Sequence, residues 1–197
     1  MGPSSGRDVS FLFDYASPWA YLADELLETE LPGIRISHQP VYLRGFESFS
    51  KGMPFIPAKL IYIAKDFERC SEFHGVAFRP PTVFPLNGLY ALRGALVARK
   101  IGRFEEFHRA AFRAAWAEDR DISSVEVVVA LAAELGFDET KFRAGLGSPE
   151  VKDELKRVTQ EAVEQGVFGV PSFLIGEEIF WGHDRMDYVR RAAGAKA

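Results

Sequence analysis

Strand-forming residues cluster at the two ends of this chain, and everything between them carries apolar residues at helical spacing. Few layer arrangements accommodate that order. Val9 to Phe13 is a short apolar, β-prone run that stops at a turn-like Asp14. Ser17-Pro18 then starts a helix, with serine as N-cap and proline at the first helical position. The helix is expected over about Trp19 to Thr29, ending before Pro32-Gly33, and Ile34 to His38 alternates apolar and polar like a second strand. Five helices are expected next, over Leu60 to Phe73, Leu89 to Ile101, Phe104 to Trp116, Val125 to Leu135 and Glu139 to Leu146. Another, about Glu150 to Gln165, ends at Gly166. Strands return at Ser172 to Ile175 and Glu178 to Trp181 around a Gly176-Glu177 turn, and a last helix begins near Asp184.

The order β-α-β, helical block, α-β-β-α implies an α/β fold: a thioredoxin-like core carrying an all-helical insertion. Residues 8–40 and 150–197 would form the core, 41–149 the insertion, and 1–7 a disordered leader. The 197 residues suffice for one sizeable core. A formal charge of -4 offers no broad basic field, so nucleic acid is not an expected partner. Cys70 is the single cysteine, which rules out an intramolecular disulfide and suits the reducing cytoplasm. No run reaches the roughly 18 to 20 apolar residues of a membrane span, and none near the start resembles a secretory signal.

Two separated segments carry the candidate chemistry: Asp14-Tyr15-Ala16-Ser17-Pro18-Trp19 and Phe168-Gly169-Val170-Pro171. Ser17 either only caps its helix or, with the free N–H groups of the helix start, stabilises a bound thiolate. Cys70 lies in neither segment, so that thiol must come from a ligand. Pro171 belongs at a strand start. If its peptide bond is cis, the backbone of Val170 faces outward and pairs with an extended, peptide-like ligand. Asp184 either caps the last helix or binds the ammonium of a γ-glutamyl group. Lys59, Tyr62, Asp66 and Arg69 fall on one stripe of the first insertion helix, which is either a solvated face or the wall of a cleft for an anionic substrate. His74 and His108 stand isolated, and no Cys, His or carboxylate spacing suggests a metal site. Cys70 reads as a partly buried bystander.

Together these motifs resemble the 2-hydroxychromene-2-carboxylate isomerase and kappa-class glutathione transferase family, a branch of the DsbA-like thioredoxin fold. Its other marks are Pro57-x-Lys59-x-x-Tyr62-x-x-x-Asp66-x-x-Arg69, Phe84-Pro85 followed by Asn87, and Trp181-Gly182-His183-Asp184-Arg185. The resemblance implies glutathione as cofactor, with Ser17 facing its sulfur and Val170, ahead of a cis Pro171, pairing with its backbone. Lys59 and Asp184, with His183 beside it, would contact its ends. Tyr62, Asp66, Arg69 and Asn87 would line the cleft of a small aromatic or electrophilic substrate. Two positions depart from the kappa pattern: Ser50 replaces an asparagine, and His183 replaces the residue usual before the aspartate. Val170 and Trp181 look more like the isomerase branch. The resemblance thus implies a homodimeric, glutathione-dependent isomerase of aromatic-compound degradation. The alternatives are a kappa-like transferase or peroxidase, and a catalytically silent module that docks extended peptides at Pro171.

Overall fold

The computed structural model describes residues 8–52 and 54–194, so the leader expected at 1–7 lies outside the described residues. A four-stranded sheet runs in the order β2-β1-β3-β4, with β1 Val9–Phe13, β2 Ile36–Pro40, β3 Ser172–Ile175 and β4 Glu178–Trp181. Strand β1 pairs parallel with β2 and antiparallel with β3, and β3 pairs antiparallel with β4. This puts the most apolar strand in the interior, where both faces are covered, and leaves Glu178 and Trp181 exposed on the edge strand.

Helix α1 (Pro18–Glu30) crosses from β1 to β2. Helices α2 (Pro57–His74), α3 (Leu89–Lys100), α4 (Phe104–Trp116), α5 (Val125–Glu134) and α6 (Glu139–Gly147) follow β2, and α7 (Pro149–Glu164) leads back to β3. The chain closes with α8 (Met186–Ala192). Helix starts follow local chemistry. Ser17 and Ser148 each accept a hydrogen bond from the third helical N–H, with proline at the first position, and Asp138 caps α6 in the same way. One apolar core joins the sheet to the helices: Phe11 and Phe173 stack across β1 and β3, while Phe13, Tyr15, Phe112 and Trp116 extend it into α4.

Three element starts differ from the sequence reading by more than one residue. The second strand begins at Ile36 rather than Ile34, because Ile34 N–H is turned back to Leu31 O at 3.2 Å while pairing with β1 opens at Val9 and Ile36. Helix α2 starts earlier, at Pro57, which fits the first helical position. Asp184 does not cap the last helix. It sits in a 3₁₀ turn, His183–Arg185, entered through Gly182 at φ 112°, a conformation that favours glycine. Its carboxylate pairs instead with Arg185 at 3.0 Å.

Candidate active site at the start of the first helix

Ser17 is held where the chain turns from the central strand into α1. Its N–H donates to Asp14 O at 2.9 Å, and its Oγ accepts from Ala20 N at 3.2 Å. The side chain is 5% exposed, and its Oγ lies 3.5 Å from the carbonyl oxygen of Val170, at the outer limit of a hydrogen bond. The hydroxyl proton is therefore weakly engaged. Pro18 has no N–H to offer, and Trp19 N–H has no acceptor among the described residues. The helix start thus presents one hydroxyl and one amide as donors at the positive end of its dipole.

The two segments separated in sequence meet here. The Val170–Pro171 bond is cis, and so is Phe84–Pro85, which the sequence reading did not foresee. The Val170 carbonyl points at Ser17 rather than outward as expected, while its N–H has no partner among the described residues. Pro171 O accepts from Gly182 N at 3.0 Å, which ties the segment to the turn carrying His183 and Asp184. The His183 ring stacks on Trp19 at 4.7 Å between centroids, with 12° between planes. Burial, the largest influence on it, pushes the His183 imidazole below its usual pKa, so it is neutral at pH 7.

Beneath the turn lies Asp14, fully buried, accepting from Ala16 N at 2.9 Å and Leu43 N at 2.8 Å. Burial pushes its carboxyl up to about 6, outweighing these two bonds and the pull of Arg44. Gly88 presses against it: a Cβ there would fall inside the contact distance of Asp14 Oδ1.

The remaining expected residues divide. Phe67, packed edge-on to Trp19 at 5.2 Å, brings α2 against α1, and Asp66 lies near enough to influence His183. Asp66 also pairs with Arg69 at 3.8 Å. Tyr62 is 58% exposed, and Lys59 Nζ sits 4.4 Å over the Phe55 ring; neither is bonded to Ser17 or Val170. Asn87 is committed locally: its Oδ1 accepts from Tyr42 OH at 3.1 Å and from Leu89 N at 3.2 Å. Ser50 donates to Glu47 O at 2.8 Å within its own turn. Burial, then Asp66 and Asp184, raise the Cys70 thiol, which therefore stays protonated at neutral pH and is a poor nucleophile.

A family described as the DSBA-like thioredoxin domain matches residues 8–194, nearly the whole chain. The chain belongs to this DsbA-like thioredoxin family. Among its relatives, the 2-hydroxychromene-2-carboxylate isomerase of Pseudomonas putida is 28% identical, covering 94% of each chain. Glutathione S-transferase kappa 1 of Homo sapiens is 25% identical, covering 100% of this chain and 94% of its own. A solved 2-hydroxychromene-2-carboxylate isomerase superposes with a TM-score of 0.82 at 27% identity, covering 94% of each chain. The curated relatives include isomerases and glutathione transferases, which supports an enzyme.

Two further features of this DsbA-like chain escaped the sequence reading. The stacking of His183 on Trp19 joins residues far apart in sequence, and no local pattern announces it. His108, isolated in sequence, is not isolated in the fold: it is 1% exposed, with Nδ1 2.9 Å from Tyr15 OH and Nε2 2.9 Å from Asp24 Oδ1. His38 Nε2 reaches the same oxygen at 3.3 Å. Tyr15 lies in the segment already singled out, but Asp24, His38 and His108 share no spacing that announces their meeting.

Proposed function

We propose that this protein is a glutathione-dependent isomerase of the 2-hydroxychromene-2-carboxylate isomerase type, acting on an intermediate of aromatic-compound degradation. The observation that carries this reading is Ser17, a weakly engaged hydroxyl at a helix N-terminus, in a chain whose single cysteine lies on another helix. A serine forms no disulfide, so the site activates a thiol without oxidising it. Glutathione supplies that thiol, and its extended backbone suits the unpartnered N–H of Val170. Ser17 Oγ–H, Trp19 N–H and the dipole of α1 would favour the thiolate, each pKa unit of lowering corresponding to about 1.4 kcal/mol.

When bound, glutathione would supply a thiolate nucleophile able to add reversibly to a conjugated carbon of the substrate, and Ser17 with the start of α1 would hold that sulfur as its anion. An isomerase of this type would return glutathione unchanged at each turnover. Lys59, His183 and Asp184 hold glutathione's ends. Tyr62, Asp66, Arg69 and Asn87 line the substrate cleft. By the same likeness the enzyme is a homodimer, and its single cysteine suits the reducing cytoplasm.

Calorimetry with reduced glutathione tests the reading, with binding expected in the micromolar to low-millimolar range, on the order of -8 to -4 kcal/mol. A folded sample giving neither heat nor thermal shift at saturation would sink it. Mass spectrometry of a turnover mixture separates the isomerase from the kappa-type transferase, since only the transferase consumes glutathione. Binding of an extended peptide without glutathione would favour the silent module.

A further inference from the structure

We propose that Asp24, His38 and His108 form a binding site for one zinc-like divalent cation, ligated by Asp24 Oδ1 and the Nε2 atoms of both histidines. One donor atom from each of the three residues lies within 4.8 Å of the other two. The two imidazoles converge on a single carboxylate oxygen, at 2.9 and 3.3 Å, rather than taking one oxygen each. Adjacent ligands of a tetrahedral ion with bonds of roughly 2.0–2.1 Å stand about 3.3–3.4 Å apart, so small adjustments admit the ion.

The surroundings are those of a supported site. The ligands sit on three packed elements: Asp24 on α1, His38 on β2 and His108 on α4. Tyr15 OH lies 2.9 Å from His108 Nδ1, so with Nε2 on the ion the Nδ1 proton goes to the tyrosine oxygen and fixes the ring. Phe104 stacks on His108 at 5.0 Å, Phe13 meets its edge at 4.6 Å, and Phe11 meets His38 at 5.7 Å, giving a largely apolar wall. His108 is sealed at 1% exposure, whereas the side chains of His38 and Asp24 are 15% and 10% exposed; the ion enters from their side and keeps a water there. Two imidazoles and one carboxylate suit zinc or cobalt. Magnesium and calcium ask for a full set of oxygen ligands.

The alternative is a purely structural network in which Asp24 Oδ1 accepts from both rings, and the experiment must separate the two. Chelator-treated full-length protein, free of glutathione, is titrated with Zn²⁺ by calorimetry and with Co²⁺ by visible absorption. One ion per chain, a raised melting temperature and the d–d bands of a low-coordinate Co²⁺ centre are expected. Affinity should fall at least tenfold in His38→Gln and in Asp24→Asn, and should be unchanged in Cys70→Ser/His74→Ala, which removes donors on α2. Circular dichroism confirms that each variant is folded. If either ligand variant is unfolded, His38→Asn replaces it and the same comparison is made. A folded wild type with no Co²⁺ band and no thermal shift overturns the proposal, as does binding that survives loss of His38 or Asp24.

Discussion

Ser17 carries a helix cap and a hydroxyl proton, and the two have separable energetic signatures. Ser17→Ala removes both and should cost about 0.5 to 2 kcal/mol of stability, whereas Ser17→Gly, nearly as good a cap, should cost only about a few tenths. Both variants lack the hydroxyl, so if Ser17 stabilises thiolate, ultraviolet titration of the glutathione complex should show the same rise in thiol pKa in each. A rise that tracked stability instead, large in alanine and absent in glycine, would make Ser17 a cap alone. Asp14 yields a prediction of opposite kind. Its carboxyl rises from 3.8 to about 6 on folding, so between those values the folded chain keeps a proton that the unfolded chain has lost. Its contribution to stability is complete below about pH 4 and is lost as pH rises to about 6, at about 1.4 kcal/mol per pH unit. Urea unfolding of wild type and Asp14→Asn across that window should give a difference with this slope. Parallel curves would show that Asp14 titrates normally.

At the scale of elements, the approach of α3 to the turn that carries Ser17 depends on Gly88. An alanine there drives its methyl into Asp14, and overpacking of this kind costs roughly 1–3 kcal/mol. Gly147, at the end of α6, has nothing within 4 Å of a new Cβ and no left-handed backbone, so Gly147→Ala should be neutral or stabilise by up to about 1 kcal/mol. Thermal melts of the pair check this; equal effects would mean that the α3 approach has slack. The elements themselves were legible where the local signal was strong: Ser17-Pro18 starts a helix, Gly166 follows the end of another, and β1 spans the expected residues. Legibility failed where tertiary contacts decide. Strand β2 begins where β1 can pair with it, and the turn at Gly182 takes the place that a capped helix start at Asp184 would have filled. The site followed the same rule. Ser17 announced itself locally, its meeting with Val170 was legible only through likeness to a family, and Asp24, His38 and His108 meet by packing of three elements with no shared spacing.

For the molecule as a whole, one core running from the sheet into α3–α6 means that ligand binding at the start of α1 should be felt in global unfolding. No helix among the described residues is long and apolar enough to cross a membrane. A ligand at about 100 times its Kd adds about 2.7 kcal/mol to a folded chain that alone binds it. At roughly 2–4 °C per kcal/mol for a chain of this size, saturating reduced glutathione should raise the melting temperature by about 5–11 °C. S-methylglutathione keeps the backbone for Val170 but has no thiolate to offer Ser17 and Trp19 N–H, so its shift should be smaller at equal concentration. The gap between the two ligands should widen with rising pH, as more of the reduced ligand ionises in free solution only above about pH 8 while the bound form is already thiolate. It should shrink in Ser17→Gly, whose fold and cap are otherwise kept. Equal shifts from both ligands in wild type would leave a peptide-binding site without thiolate activation, and the isomerase reading would fall with it.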